Sequence, residues 1–186
     1  LEIERANLGD AGAPTGERGA EPATAAQPGG LRRRLADLID PSRRAELEQA
    51  YRDPLTGLAN QTAWGQARPR LDADPDTELV VADLTNLKGW NDRVGMDAGN
   101  EAIRRAADGI RQAAEEGGVD VRNVFRAGGD EFVIAVPRGQ GQAIAARLRD
   151  LVPDQPIPGT ELQSGLRAVA GSTFAEADQA MKAAKA

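Results

Sequence analysis

Asp130 and Glu131 follow two glycines, Gly128 and Gly129, between the apolar runs Val124-Phe125 and Phe132-Val133-Ile134-Ala135-Val136. Two apolar runs joined through a Gly-Gly pair predict a β-hairpin with the acids at its tip. Such a tip is exposed yet held by its strands, so it can present a carboxylate to a metal ion or a phosphate group. The glycines allow close backbone approach and positive φ. A third acid, Asp83, ends the run Leu79-Val80-Val81-Ala82 and precedes Leu84. A charge within such a run is costly to bury without a partner. Asp83 therefore reads either as a metal ligand at a strand end or as the N-cap of a following helix. Two strand-end carboxylates are what a divalent-metal nucleotide site needs.

Hydrophobic periodicity places the elements that must position these acids. From Asp53 the predicted order is a loop, a helix over about 60–71, a strand over 79–84 and a helix over about 98–115. Strands over 121–126 and 132–137 follow, then a helix over about 140–151, a strand over about 162–169 and a last helix over about 174–185. A helix-rich α/β (α+β) pattern around a central hairpin fits a ferredoxin-like arrangement. Upstream, Leu31, Leu35, Leu38 and Ile39 fall at helical spacing, and Asp40-Pro41 starts a second helix through Ala45, Leu47 and Ala50. Residues 1–30 are rich in Gly, Ala, Pro, Thr and Glu and read as a disordered linker.

Composition narrows the chemistry. With 186 residues, one domain with a short extension is expected. The chain has no Cys and no His, which removes thiolate chemistry, the commonest metal ligand and the usual general base. A metal must then be held by oxygen, which favours Mg²⁺ or Mn²⁺ over Zn²⁺. Aromatic residues make up 3%, so the core must be built from Ala, Val, Leu and Ile. A net charge of −6 argues against broad nucleic-acid binding. No apolar run approaches the length of a membrane span and no signal peptide is visible, so a cytoplasmic location is expected. The first residue is Leu, so the chain reads as a piece of a longer protein.

Four segments together resemble a known family. Gly128-Gly129-Asp130-Glu131-Phe132 spells the signature of GGDEF domains, the diguanylate cyclases. Asp53-Pro54-Leu55-Thr56-Gly57-Leu58-Ala59-Asn60 is similar to its opening motif, and Asp83-Leu84-Thr85-Asn86-Leu87-Lys88-Gly89-Trp90-Asn91-Asp92 to its metal and guanine segment. Ala177-Asp178-Gln179-Ala180-Met181-Lys182-Ala183-Ala184-Lys185 is similar to its closing helix. The resemblance implies a palm-type GGDEF fold over 53–186, with a central, mostly antiparallel sheet flanked by helices. Residues 31–52 then resemble the family's helical lead-in; read alone, they are ordinary helix packing on its own domain. The family's metal, Mg²⁺ or Mn²⁺, would lie between Asp83 and Asp130, with the Leu84 carbonyl as a further ligand. Glu131 would sit near the reacting hydroxyl or the metal; read alone, it is a solvated turn acid. Lys88 and Lys185 would meet phosphate charge, where the bland alternative is a solvated surface lysine. The Leu84–Leu87 turn resembles the family's phosphate cradle, so Leu87 joins Gly128 and Gly129 in the substrate-binding set. Asn91 and Asn100 match the positions that read guanine.

The chain also departs from its family. Asn100 stands where Asp is usual, Thr85 replaces a second acid, and Leu87, Met96 and Gln61 replace Phe, His and Arg. Val119-Asp120-Val121-Arg122 lacks the ordered Arg-x-x-Asp of the family's product-inhibition site. The domain is C-terminally short, ending before a Gly-Arg-Asn-like segment that would carry a second phosphate-binding Arg. The expected function is a nucleotide cyclase of the diguanylate cyclase type. It would condense two GTP molecules to cyclic di-GMP across a homodimer, with relaxed base selectivity through Asn100. The alternatives are a non-catalytic GGDEF-like module that binds nucleotide or protein, and a palm-like nucleotidyl transferase with another acceptor.

Overall fold

The computed structural model describes Glu46 and residues 49–185. The expected linker over 1–30, and the lead-in over 31–52 apart from Glu46 and residues 49–52, lie outside the described residues. The elements are α1 (Gln61–Asp72), β1 (Thr77–Leu84), α2 (Leu87–Val94), α3 (Met96–Glu116), a 3-10 turn at Val121–Asn123, β2 (Val124–Arg126) and β3 (Glu131–Pro137). They continue with α4 (Gly141–Leu151), β4 (Gln155–Pro156), β5 (Gln163–Ser164), β6 (Leu166–Gly171) and α5 (Phe174–Lys185). Four strands form one antiparallel sheet in the order β2-β3-β1-β6, and β4 and β5 make a separate two-stranded ribbon. The mostly antiparallel α+β sheet flanked by helices agrees with the fold read from sequence.

The central strand explains the core. β1 is covered on both faces, so Leu79 to Leu84 are all buried and the strand reads as a continuous apolar run. Val80, Ala82 and Leu84 face α3 and α4 with Ile103, Ala106, Ile110, Ile144 and Leu148. Leu79 and Val81 face α1 and α5 with Trp64, Leu71, Ala177 and Met181. The α3/α4 layer is aliphatic, with Phe132 its aromatic member. The opposite layer gathers Trp64 against Phe125 and Phe174 at centroid distances of 5.4 and 5.2 Å. Three of the six aromatics are thus pooled on one face. Strand alternation puts Asp83 in phase with Leu79 and Val81, on the α5 side.

Three expectations are corrected. α2 is a helix that the periodicity did not predict. It is entered through Asn86 in a left-handed conformation (φ 57°), without a side-chain cap, and it fully buries no residue. The strand expected over 121–126 begins at Val124, because the Asp120 carboxylate accepts the Arg122 N–H at 2.9 Å and closes a 3-10 turn. The strand expected over 162–169 is broken at Gly165, where an added Cβ would lie 1.8 Å from Asp154 Oδ1. β5 and β6 therefore belong to different sheets. Among the described residues no helix is long and apolar enough to cross a membrane.

Candidate functional site

Asp83 lies opposite Glu131 on β3 and opposite Arg167 on β6. Directly opposed residues share a face, so a row of acid, acid and arginine crosses three strands beneath α5. The Leu84 N–H donates to Asp130 O at 3.1 Å and ties the end of β1 to the hairpin tip. Asp83, Leu84 and Asp130 then meet in one cleft of about 590 Å³, together with Thr85, Asn86, Glu161, Gln163, Arg167 and Lys185. The Asp83 side chain is only 7% exposed, and Lys185 Nζ lies 2.8 Å from its Oδ2. Burial raises the Asp83 carboxyl above its usual range; the Lys185 ammonium pulls it back and the Asp130 charge raises it further. Glu131 is raised by burial and then by the charges of Asp83 and Asp178. It begins β3 and is partly buried, so it is a strand residue facing α5 and not a solvated turn acid. The helix-cap reading of Asp83 also fails, since Asn86 occupies the cap of α2.

The tip is held from below. Arg126 Nη1 reaches both oxygens of Asp53 at 3.0 Å, and its Nη2 donates to Gly129 O at 2.6 Å. Asp53 also accepts the Thr56 N–H at 2.8 Å and the Thr56 hydroxyl at 2.7 Å. Burial pushes the Asp53 carboxyl up, but Thr56 and Arg126 outweigh it and hold it below the usual carboxylate range. The side chains of Arg126 and Asp53 are 13% and 15% exposed. Arg126→Ala is therefore expected to cost roughly 2–3 kcal/mol, because the carboxylate loses its cation in a partly dry site. The folded-state value of Asp53 is depressed. The clamp's contribution is thus present above the unfolded value and fades as pH falls through the folded one. Urea unfolding of native and variant protein at neutral pH and in acid measures both effects; equal midpoints at neutral pH contradict the clamp.

Neither Gly128 nor Gly129 uses positive φ; the described glycines that do are Gly57, Gly95, Gly118, Gly139 and Gly159. Close approach is needed at Gly128, where a Cβ would sit 3.2 Å from Glu131 Oε2. Gly128 lines a hollow with Asp53, Asn60 and Arg126, away from the acidic cleft. Gly129 has open space over its Cα and borders the second cleft described next.

That second cleft, of about 520 Å³, joins the first at Asp130 and is lined by Leu87, Lys88, Asn91, Met96, Asn100 and Gly129 among others. The Asn91 amide oxygen is buried against Gly99 and accepts no hydrogen bond. An unmet buried acceptor costs about 1–3 kcal/mol, and this one is enclosed by Gly99, so it meets a ligand's donor only if the side chain turns outward. Lys88 is 90% exposed and paired to Asp92 at 2.9 Å, on the rim of this cleft and not in the acidic one. In the turn expected to cradle phosphate, the Leu84 and Thr85 N–H groups are already spent on Asp130 O and Gly165 O. The N–H groups left for a ligand are that of Asn86 and those of the first turn of α2.

Sequence reasoning thus named residues of two clefts that share Asp130 but missed Arg167 and the Asp53–Arg126 clamp. Arg167 carried a signal, as a cation inside the strand Leu166–Gly171. No group of three or more Asp, Glu, His or Cys side chains is poised around one metal position among the described residues. The cleft is lined by the Asp83 and Asp130 carboxylates and by Leu84, and oxygen donors of this hard kind are the chemistry that Mg²⁺ or Mn²⁺ takes.

Comparison with known proteins fits this geometry. The profile of the family described as diguanylate cyclase, GGDEF domain, matches residues 50–186. Diguanylate cyclase DgcP of Pseudomonas aeruginosa is 30% identical over 158 residues, covering 74% of this chain and 23% of that protein. Response regulator PleD of Caulobacter vibrioides is 33% identical over 135 residues, covering 68% of this chain and 29% of its own length. The chain thus spans about a quarter of the length of these relatives. The coiled coil and GGDEF domain of DgcB from Caulobacter crescentus, solved in complex with c-di-GMP, superposes with a TM-score of 0.59 at 26% identity. That match covers 83% of this chain and 94% of DgcB's.

Proposed function

The chain belongs to the GGDEF domain family, and from that membership we propose that it is a nucleotide cyclase of the diguanylate cyclase type. One observation carries the reading: Asp130 lines both a cleft with carboxylates and cations and a second cleft with the carboxamides of Asn91 and Asn100. A triphosphate suits the first and a purine the second. Each domain holds one GTP, and two domains face each other in a homodimer. The 3′-oxygen of one GTP bonds to the α-phosphorus of the other as the bond from that phosphorus to the β-phosphate oxygen breaks. Pyrophosphate leaves with its electron pair and the hydroxyl proton passes to solvent. The same exchange in the other direction closes cyclic di-GMP. Asp83 and Asp130, with the Leu84 carbonyl, would hold Mg²⁺ or Mn²⁺, which would supply charge neutralisation on the phosphates and lower the pKa of the attacking hydroxyl. Lys185, on Asp83 in this structure, would turn to phosphate. Lys88 closes the rim between base and phosphate, Asn91 and Asn100 read the base edge, and Glu131 sits near the reacting hydroxyl or the metal. The reaction draws on the cytoplasmic nucleotide pool.

A non-catalytic module is favoured by one feature, the Lys185 ammonium seated on a carboxylate that the metal needs. Assays of pyrophosphate release and cyclic product with GTP and Mg²⁺ separate the two readings. Because one domain supplies one nucleotide, specific activity is expected to rise steeply with protein concentration. Activity per molecule that stays flat from nanomolar to high micromolar, in protein shown to be monomeric, contradicts the two-domain mechanism. Nucleotide binding without any product supports the silent module.

A further inference from the structure

We infer that Arg167 binds the nucleotide's phosphate tail in the acidic cleft, a role that rests on the cyclase reading above. Its place in the ladder opposite Asp83 sets its side chain on the same face as the carboxylate row, and it lines the cleft. The charged residues lining that cleft are Asp83, Asp130 and Glu161 against Lys185 and Arg167. Lys185 is engaged by Asp83, and Lys88 is engaged by Asp92 at the other cleft. Arg167 is therefore the cleft cation whose partner lies outside the cleft. That partner is Asp154, at 3.0 Å, with side chains 42% and 34% exposed. An exposed pair of this kind is weak and screened by salt. A guanidinium fork on phosphate oxygens forms shorter, charge-assisted bonds and suits the planar geometry of Arg. Asp154, held through both terminal guanidinium nitrogens, and a phosphate would compete for the same fork. Binding the phosphate also answers an electrostatic need, because Glu161 and Asp130 repel a triphosphate that arrives with too little cationic charge.

The test is calorimetric binding of 3′-deoxy-GTP with Mg²⁺, a probe that lacks the attacking hydroxyl and cannot cyclise. Arg167→Ala is expected to weaken it about 10- to 100-fold, with Arg167→Lys in between. GMP, which lacks the outer phosphates, should lose much less. Asp154→Ala should bind 3′-deoxy-GTP as tightly as native protein or more tightly, because it releases the arginine. If Arg167 only pins the edge of the sheet, Arg167→Ala and Asp154→Ala weaken binding equally, GMP and 3′-deoxy-GTP suffer alike, and the inference is overturned. It is also overturned if Arg167→Ala binds 3′-deoxy-GTP like native protein. Native protein that binds no 3′-deoxy-GTP at millimolar concentration removes the cyclase reading itself, and this role with it.

Discussion

Replacing Asp83 by Asn is expected to lower turnover about 1,000-fold, the equivalent of roughly 4 kcal/mol of lost stabilisation at the reacting phosphates. The fold should survive. The buried carboxylate is already raised by its surroundings, and the Lys185 side chain it would release is 41% exposed and free to return to water. Asp130→Asn should behave alike, and the double variant should be no worse than either single one, because the two acids serve one ion. A second readout does not depend on activity. Mg²⁺ should raise the melting temperature of native protein by mass action and leave Asp83→Asn unmoved. The ion and Lys185 compete for the same oxygen, so Lys185→Met should tighten Mg²⁺ binding while turnover falls. Turnover that persists in the double variant would sink the assignment. Equal Mg²⁺ protection of native and Asp83→Asn protein would remove Asp83 from the metal.

The acids could be read from sequence because their signals are local. An apolar run that stops at Asp83, and a Gly-Gly pair followed by two acids, each declare a strand end within a few residues. What those acids meet could not be read. The opposition of Asp83 to Glu131 and Arg167 is set by ladder register across three strands, and register is a property of the assembled sheet. The same holds for Arg126, whose partner Asp53 lies 73 residues away. The missed helix α2 has a different cause. Its left-handed entry at Asn86, its internal Gly89 and its lack of a fully buried residue remove each of the cues that usually mark a helix. It nevertheless carries Lys88 and Asn91, whose roles were read from their place in the motif, and it sets both on the second cleft. Of the two freedoms the signature glycines allow, close approach and positive φ, the structure uses only the first, at Gly128.

Changing Asn100 to Asp is expected to raise the preference for GTP over ATP by roughly 10- to 100-fold. Asn100 lines the cleft beside Asn91 and stands where the family usually has Asp. Guanine presents two donors on this edge, N1–H and the N2 amino group, and a carboxylate accepts from both. A carboxamide accepts through its oxygen alone, and its NH₂ group confronts a second donor. Losing one charge-assisted bond and leaving a poor pairing costs about 1–3 kcal/mol. Adenine offers an acceptor at N1 and a donor at N6, which a rotated carboxamide satisfies if the base shifts in the cleft. The native protein should therefore use GTP weakly and form detectable ATP-derived or mixed cyclic dinucleotides, and Asn100→Asp should restore strict guanine use. Turnover of each nucleotide, separately and in competition, measures the ratio in both proteins. The Asn91 oxygen buried against Gly99 is common to both and cancels in that comparison. An unchanged ratio in an active enzyme would show that Asn100 does not touch the base, and that guanine is read by Asn91 and the shape of the cleft.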